Sequence, residues 1–444
     1  MELYRSLCMR ARSHPDRAAH ATAMAHGEML MKKTLQSLLK ALSAQLPDIP
    51  FEVRFWDGQV ERYGNGAPVF TLTFNTAAAV KRVFSRGSMG FGEQYVDGNI
   101  DVDGDFQQVV RIGIDPRFQD MKLSARTRAA VFLRHIASLN TLKGSRGNIS
   151  HHYDLGNDFY KYYLDESMTY SCAYFRNDTD TLERAQDQKY EHICRKLQLR
   201  EGETLVDIGC GWGGMLLYAA RHYGVKGLGC TLSSHQAEYA RKKIAEKCLD
   251  RSITILLEDY RNIKGQFDKF VSIGMFEHVG KGFIPVFMKK AGKLLKPGGI
   301  GLLHTVGKER NTAGDPWTMR YIFPGAYIPV LDRVIRTMGT EDLVPVDVEN
   351  LRLHYATTLD EWSRRFEANA GKIEEMFDAK LVRMWRLFLN GSAAAFRWGN
   401  IRLYQILFTN GLNNSLPATR EHLYRVQERE TAKREAQREL SGIT

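Results

Sequence analysis

The stretch VDIGCGWGG, residues 206–214, joins a buried-type run, TLVDIG (204–209), to a run with helical spacing, GGMLLYAARHYG (213–224), that stops at a glycine. Glycines at a strand-to-helix turn let the backbone approach a ligand closely, where the helix N-terminus offers free N–H groups. The spacing is GxGxGG and not the pyrophosphate fingerprint GxGxxG. It fits a loop that packs against the amino-acid and ribose parts of S-adenosylmethionine (SAM), a ligand without phosphate. Glycines at this density and an Asp at the end of a buried strand are costly for packing alone, so a turn without a ligand is the lesser reading. A nicotinamide cofactor calls for an acid at the end of the second strand. Here that strand ends GCTLS (229–233), a departure from many SAM enzymes as well.

Outward from this loop the pattern alternates. VKGLGCTLS (225–233), ITILLEDY (253–260), FDKFVSIGMFEHV (267–279) and GIGLLHTVG (299–307) read as strands, SHQAEYARKKIAEKC (234–248) as a helix and KPGG (296–299) as a turn. Strands alternating with helices imply a parallel doubly wound sheet. The N-terminal part reads differently. LMKKTLQSLLKALSAQL (30–46) is an amphipathic helix, FEVRFWDGQVERYG (51–64) a hairpin with a DG turn, and VFTLTF (69–74) a strand. TAAAVKRVFSRG (76–87) is a helix ending at Gly87, and residues 90–110 are Gly- and Asp-punctuated, then helical. The expected domains are an irregular extension (1–30), a small α+β domain (31–133), a basic linker (134–150) and a catalytic domain (151–444). The charged C-terminal helix 418–440 reads as a solvated face.

The 444 residues suit two domains, with 43% hydrophobic and 25% charged residues, as in ordinary globular chains. No apolar run reaches the roughly 18–20 residues of a membrane span, and the N-terminus lacks a signal-peptide apolar core. A cytosolic protein is expected. The six cysteines form no CxxC pair, which argues against a zinc site and a disulfide framework. The net charge of +11 favours an anionic partner, a membrane surface or a nucleic acid.

Several stretches together resemble one family, the cyclopropane-fatty-acid synthases and the related mycolic acid cyclopropane synthases. They are HHYDLGNDFYKYYLDESMTYSCAYF (151–175), VDIGCGWGG, TLSSHQ (231–236), GMFEHVG (274–280), YIFPGAYIP (321–329) and FLNGSAAAFRWGNIRLYQILFTNG (388–411). The resemblance implies an α/β chain: a Rossmann-like doubly wound SAM-dependent methyltransferase domain with a smaller N-terminal α+β, lipid-associated domain. It implies an enzyme that transfers a methylene group from SAM to the cis double bond of an acyl chain in a membrane phospholipid, forming a cyclopropane fatty acid. By the family's pattern SAM touches Tyr170 and Ser171, then Leu205, Val206, Asp207, Ile208, Gly209, Cys210, Gly211, Trp212 and Gly213. It also touches Thr231, Leu232, Ser233, Ser234, His235 and Gln236, and Tyr260 with Arg261. A bicarbonate ion, the family's general base, maps onto Cys172, Glu277, His304, Val306 and Tyr355. A homodimer is implied by bacterial relatives.

The chemistry needs such residues. Attack of an alkene on a sulfonium methyl leaves a carbocation, which aromatic faces stabilise without reacting. Tyr153, Phe159, Tyr160, Tyr163, Tyr170, Tyr174 and Phe175 cluster in sequence near the motifs. A base must then take a proton from the new methyl. Glu277 and His304 fall near the C-terminal ends of successive strands, where sites form in open α/β sheets. Glu277 itself is the alternative base, with His278 a lesser candidate. Cys172 reads as a wall of the bicarbonate pocket, with core packing as its plain alternative. Family members often carry a Cys where this chain has Ser392, and a serine without a base partner is no equivalent nucleophile. Three other functions compete: a SAM-dependent lipid enzyme giving methyl- or methylene-branched chains, a nucleic-acid methyltransferase, for which no recognition module is seen, and a lipid-binding protein without catalysis. In the main reading there is no nucleic-acid partner. The basic charge and the segment 30–46 would hold the enzyme peripherally on the inner, anionic face of the membrane.

Overall fold

The computed structural model describes residues 15–114, 155–312 and 314–424, with side chains from residue 26 onward. The basic linker, Tyr153, the first fourteen residues and the charged helix beyond residue 424 lie outside the described residues. The chain's internal contacts divide it into two compact units, each discontinuous in sequence. The first comprises Met1–His152, Ala313–Pro324 and Glu367–Gly399; the second comprises Tyr153–Thr312, Gly325–Phe366 and Asn400–Thr444. The sequence expectation kept 151–444 together. Two segments that pack with the N-terminal elements are returned to them by long-range apolar contacts, which local patterning does not encode.

In the first unit, β1 (Phe51–Arg54), β2 (Val60–Tyr63), β3 (Phe70–Phe74) and β4 (Ile100–Gly104) form a sheet in the order β2-β1-β3-β4. The DG turn closes the β1–β2 hairpin as expected, with Gly58 at φ 82°. Phe51 stacks between Tyr63 and Phe70 at 5.0 and 5.2 Å. The helix Pro15–Gln45 includes residues expected to be irregular. Its stripe Met31, Leu35 and Leu39 is buried, and Lys32 bonds Asp57 and Gln59 on the hairpin. The apolar face of segment 30–46 is therefore used in packing and is not free for a membrane. In the segment Ala77–Val96 the regular helix stops at Gly87, which is non-helical (φ 56°, ψ −133°), and a second helical stretch resumes directly after this kink. Beyond the kink the helix packs tightly, since a Cβ on Gly92 would lie 2.3 Å from the Trp317 indole. The helix Ala379–Trp398, which carries Ser392 half-buried near its middle, packs on Phe106–Ile114.

The second unit is built on a seven-stranded sheet, order β10-β11-β9-β8-β5-β6-β7. β5 (Thr204–Ile208), β6 (Lys226–Thr231), β7 (Ile253–Leu257), β8 (Phe267–Ile273) and β9 (Leu295–Lys308) run parallel. β10 (Leu343–Asn350) and β11 (Ile401–Asn410) were not expected, and β11 pairs antiparallel with both β9 and β10. The sheet is thus mixed, not wholly parallel. The KPGG turn lies inside β9, where the pairing with β8 shifts register. Alternate strand residues enter opposite cores. Leu205, Val271 and Leu302 pack under Tyr190, Leu216 and Ala240, while Val206, Phe270, Leu303 and Ile406 pack under Phe287 and Met338. Among the described residues, no helix is long and apolar enough to cross a membrane.

Candidate active site

The C-terminal ends of β5, β6, β8 and β9 carry most of the residues singled out from the sequence. At the end of β5 the backbone does the work. Gly209 (φ 83°) and Gly213 (φ 84°) are left-handed, and a Cβ on Gly209 would meet Met275 at 2.5 Å. Gly211 is also left-handed (φ 53°), yet nothing lies within 4 Å of where its Cβ would be. It leaves open space above the helix Gly214–Tyr223. The N–H groups of Gly209 and Cys210 both donate to the Cys230 carbonyl at 3.0 Å, fixing the loop to β6. Leu205, Val206 and Ile208 are buried in the cores, so their side chains support the loop from beneath. Asp207 is buried too, and burial pushes its carboxyl up to about 7.

After β6, Thr231 donates to Gln236 at 2.8 Å, and Ser233 caps the helix Ser234–Glu246. Leu232, Ser234 and His235 are exposed on the same turn. After β7, Tyr260 is half-buried against Phe287 at 5.5 Å, and Arg261 is held by Asp259 at 2.6 Å. The acid missing after β6 thus has neighbours one strand on: Glu258, bonded to Asn262, and Asp259.

A group of aromatic side chains lies beside the loop. Trp212 meets Tyr160 at 5.3 Å and donates from Nε1 to Asn157 at 2.8 Å. Tyr160 meets Tyr170 at 5.4 Å, Tyr170 stacks on Trp362 at 5.1 Å, and Phe159 and Tyr163 close the cluster. Tyr355, in the first turn of the helix Arg352–Ala368, stands edge-on to Trp362 at 6.1 Å. Tyr174 does not join them. It is sandwiched between His192 and His354 at 4.4 and 4.6 Å, and Phe175 donates its N–H to His354. Trp362, absent from the sequence expectation, takes that place because the helix returns it from almost 200 residues away.

Glu277 follows β8 and is buried. Its Oε1 accepts the Val306 N–H from β9, while Oε2 has no hydrogen-bond partner among the described residues. Burial pushes its carboxyl up to about 7, against the opposing pull of the Val306 N–H. His304 on β9 is fully buried, with Nδ1 3.2 Å from Gln405 Nε2 and Nε2 without a partner among the described residues. Burial holds its imidazole well below the ordinary range, so the ring is neutral. Cys172 is buried, its Sγ donates to the Ala173 carbonyl at 3.1 Å, and burial pushes the thiol up strongly. A buried thiol held protonated in this way is not a nucleophile. His278, next to Glu277, has its imidazole lowered by burial.

The sequence reading missed two buried supports of these groups. Lys189 is fully buried, donates to Ser171 Oγ at 3.0 Å, and is pushed down to about 7 by burial. Gln405 stands opposite His304 in the β9–β11 register. Nothing local marked either: Lys189 lies in the polar run AQDQKYEHICRKLQ (185–198), where a lysine reads as solvent-facing.

A glycine-rich turn after the first strand of a largely parallel sheet, closed by an antiparallel strand, defines a protein of the Rossmann-like SAM-dependent methyltransferase fold. Residues 140–406 match the family described as mycolic acid cyclopropane synthetase, and the chain belongs to that family. Residues 38–119 match a domain of unknown function. The chain is 35% identical over 403 residues to a probable fatty acid methyltransferase of Pseudomonas putida, covering 86% of this chain and 100% of that one. It is 38% identical over 364 residues to the cyclopropane-fatty-acyl-phospholipid synthase of Escherichia coli K12, covering 80% and 92%. The solved structure of the mycolic acid cyclopropane synthase CmaA1 complexed with SAH and CTAB shares a TM-score of 0.56 and 34% identity, over 59% of this chain and 96% of that one. The chain is accordingly a SAM-dependent enzyme of the C-methyltransferase class.

Proposed function

We propose that the enzyme adds a methylene group to the cis double bond of an acyl chain in a membrane phospholipid, with a bicarbonate ion as base. The observation that carries this reading is the pair of buried, unpartnered polar atoms, Glu277 Oε2 and His304 Nε2, at the ends of adjacent strands. Unpaired polar atoms are expensive inside a protein unless a ligand meets them. A small anion with an O–H suits both, the O–H toward Glu277 and an oxygen toward His304.

The glycine loop, Tyr170, Ser171 and the Thr231–Gln236 turn would hold SAM, and the open space at Gly211 fits a ligand against the backbone. When bound, SAM supplies an electrophilic methyl. Tyr160, Tyr163, Tyr170 and Trp362 present ring faces and edges that shield a cation on the acyl chain and exclude water. Glu277, His304, Tyr355, Cys172 and the Val306 backbone would hold bicarbonate, which supplies the base. Cytoplasmic location, peripheral contact with anionic lipid and a homodimer belong to the same reading. The net charge of +11 supports the second of these.

The test is incubation with SAM and vesicles of phospholipid bearing cis-monounsaturated chains, followed by gas chromatography–mass spectrometry of the methyl esters before and after mild hydrogenation. A product one CH2 heavier that resists hydrogenation is expected. A heavier product that takes up hydrogen would be a methylene-branched or methyl-branched alkene, in which the cation has lost its proton without closing the ring. Either branched product would move the enzyme to the second reading, which the name of the Pseudomonas relative favours.

A further inference from the structure

We propose that Gln405 is a positioning residue that fixes the tautomer of His304, so that the ring presents an Nε2–H donor, and not a lone pair, to the active site. This rests on the reading of the Glu277–His304 pocket as catalytic, but the tautomer itself can be read without turnover.

The antiparallel register of β11 on β9 sets Gln405 directly across from His304, and both are fully buried. Gln405 Nε2 lies 3.2 Å from His304 Nδ1. The amide orientation follows from what each choice leaves unmatched. With Nε2 toward the ring, the carbonyl Oε1 and one of the two amide N–H groups have no partner among the described residues. With the amide turned over, both N–H groups would be stranded, and buried donors are left unpaired more rarely than carbonyl oxygens. An amide N–H that donates to Nδ1 requires a lone pair there. The titratable groups around the ring are Lys189, Lys196, His192 and Glu349, whose carboxylate His192 and Lys196 already bond. No carboxylate among the described residues is hydrogen-bonded to the ring to make it an imidazolium. A neutral ring with Nδ1 accepting carries its single proton on Nε2.

The consequence concerns the ligand. On the His304 side the pocket takes an acceptor atom, such as an oxygen of an anion. His304 does not serve as the base. Proton acceptance falls to the Glu277 side, where Oε2 is the unpartnered acceptor.

The experiment uses the full-length protein labelled with 15N-histidine and two-bond proton–nitrogen correlation, with the His304 signals assigned by their loss in His304→Asn. An unprotonated Nδ1 and a protonated Nε2 in the wild-type protein are the expected result. In Gln405→Glu, whose carboxylate only accepts, the proton should move to Nδ1 or the ring become doubly protonated. Gln405→Leu should give a mixture of tautomers. The vesicle assay should show at least a tenfold loss of kcat in Gln405→Glu, with KM for SAM unchanged. A protonated Nδ1 in the wild-type protein overturns the proposal whether or not the variants fold. So does an Nε2–H that is unaffected in both variants. Absence of turnover in a wild-type protein whose ring carries Nε2–H would count against the catalytic reading while supporting the tautomer.

Discussion

The two sides of the proposed active site are made of opposite materials. The loop after β5 is backbone: left-handed glycines, N–H groups tied to the Cys230 carbonyl, and an opening at Gly211. The Glu277–His304 side is side chain: two buried titratable groups, each with one polar atom unpartnered among the described residues. The first side is shaped by sterics and is hydrogen-bonded within itself. The second is held in an electrostatically costly state by the surrounding fold, as sites tuned for proton transfer often are. Changes on the two sides should therefore fail differently.

The largest effect is expected from Glu277→Gln, which keeps shape and removes the acceptor. Product formation in the vesicle assay should fall by about 10²–10⁴-fold, the range for losing acid–base catalysis, with SAM affinity by calorimetry unchanged. The same variant should gain stability. The Glu277 carboxyl is raised by burial to about 7, so between its ordinary value of 4.5 and about 7 the folded state keeps a proton that the unfolded state releases. Wild-type stability is lost as pH rises through that window, and Gln does not titrate. Relative to wild type, Glu277→Gln should gain up to about 3 kcal/mol above pH 7 and little near pH 4 in urea titrations. A flat difference across pH would sink the buried-carboxyl account.

On the loop side, stability and binding should both suffer. Gly209→Ala places a Cβ 2.5 Å from Met275 at a positive φ and should cost about 2 kcal/mol in the same titrations. Gly211→Ala meets no atom and should cost only about 1 kcal/mol of backbone strain. Its larger consequence is a loss of SAM affinity of roughly tenfold, because the methyl occupies ligand space. Equal stability losses and unchanged SAM binding in the two glycine variants would erase the distinction drawn at Gly211. The smallest effect is expected at Ser392. Ser392→Ala on its helix should change stability by less than about 0.5 kcal/mol and turnover by less than about threefold. A large loss of turnover would reopen this position as part of the machinery.

The two sides also differed in how readable they were. The glycine loop was legible because φ > 0 and close approach demand glycine at particular positions, a local requirement. Glu277 and His304 were legible as residue types at strand ends, and through resemblance. Their burial, their partners and the state of their protons were not. Tyr174 and Phe175 read like members of the aromatic cluster by proximity, but a strand-like segment sends neighbours to different places, and Tyr174 went between two histidines. The apolar stripe of residues 30–46 was read correctly as a stripe and wrongly as a free membrane face. Periodicity reports that a face is buried without reporting what buries it.

The sequence alone determined the parallel strands β5–β9, the helices Gly214–Tyr223 and Ser234–Glu246, the position of the glycine loop and the family. Each of these follows from period, glycine placement or short contiguous motifs. Only the tertiary structure decided that β10 and β11 close the sheet, that segments 313–324 and 367–399 belong with the N-terminal unit, and that Gln405 stands across from His304. These depend on pairings between residues tens to hundreds of positions apart. Register and burial, not local preference, select among such pairings, because they are settled by which apolar faces can be covered at the same time.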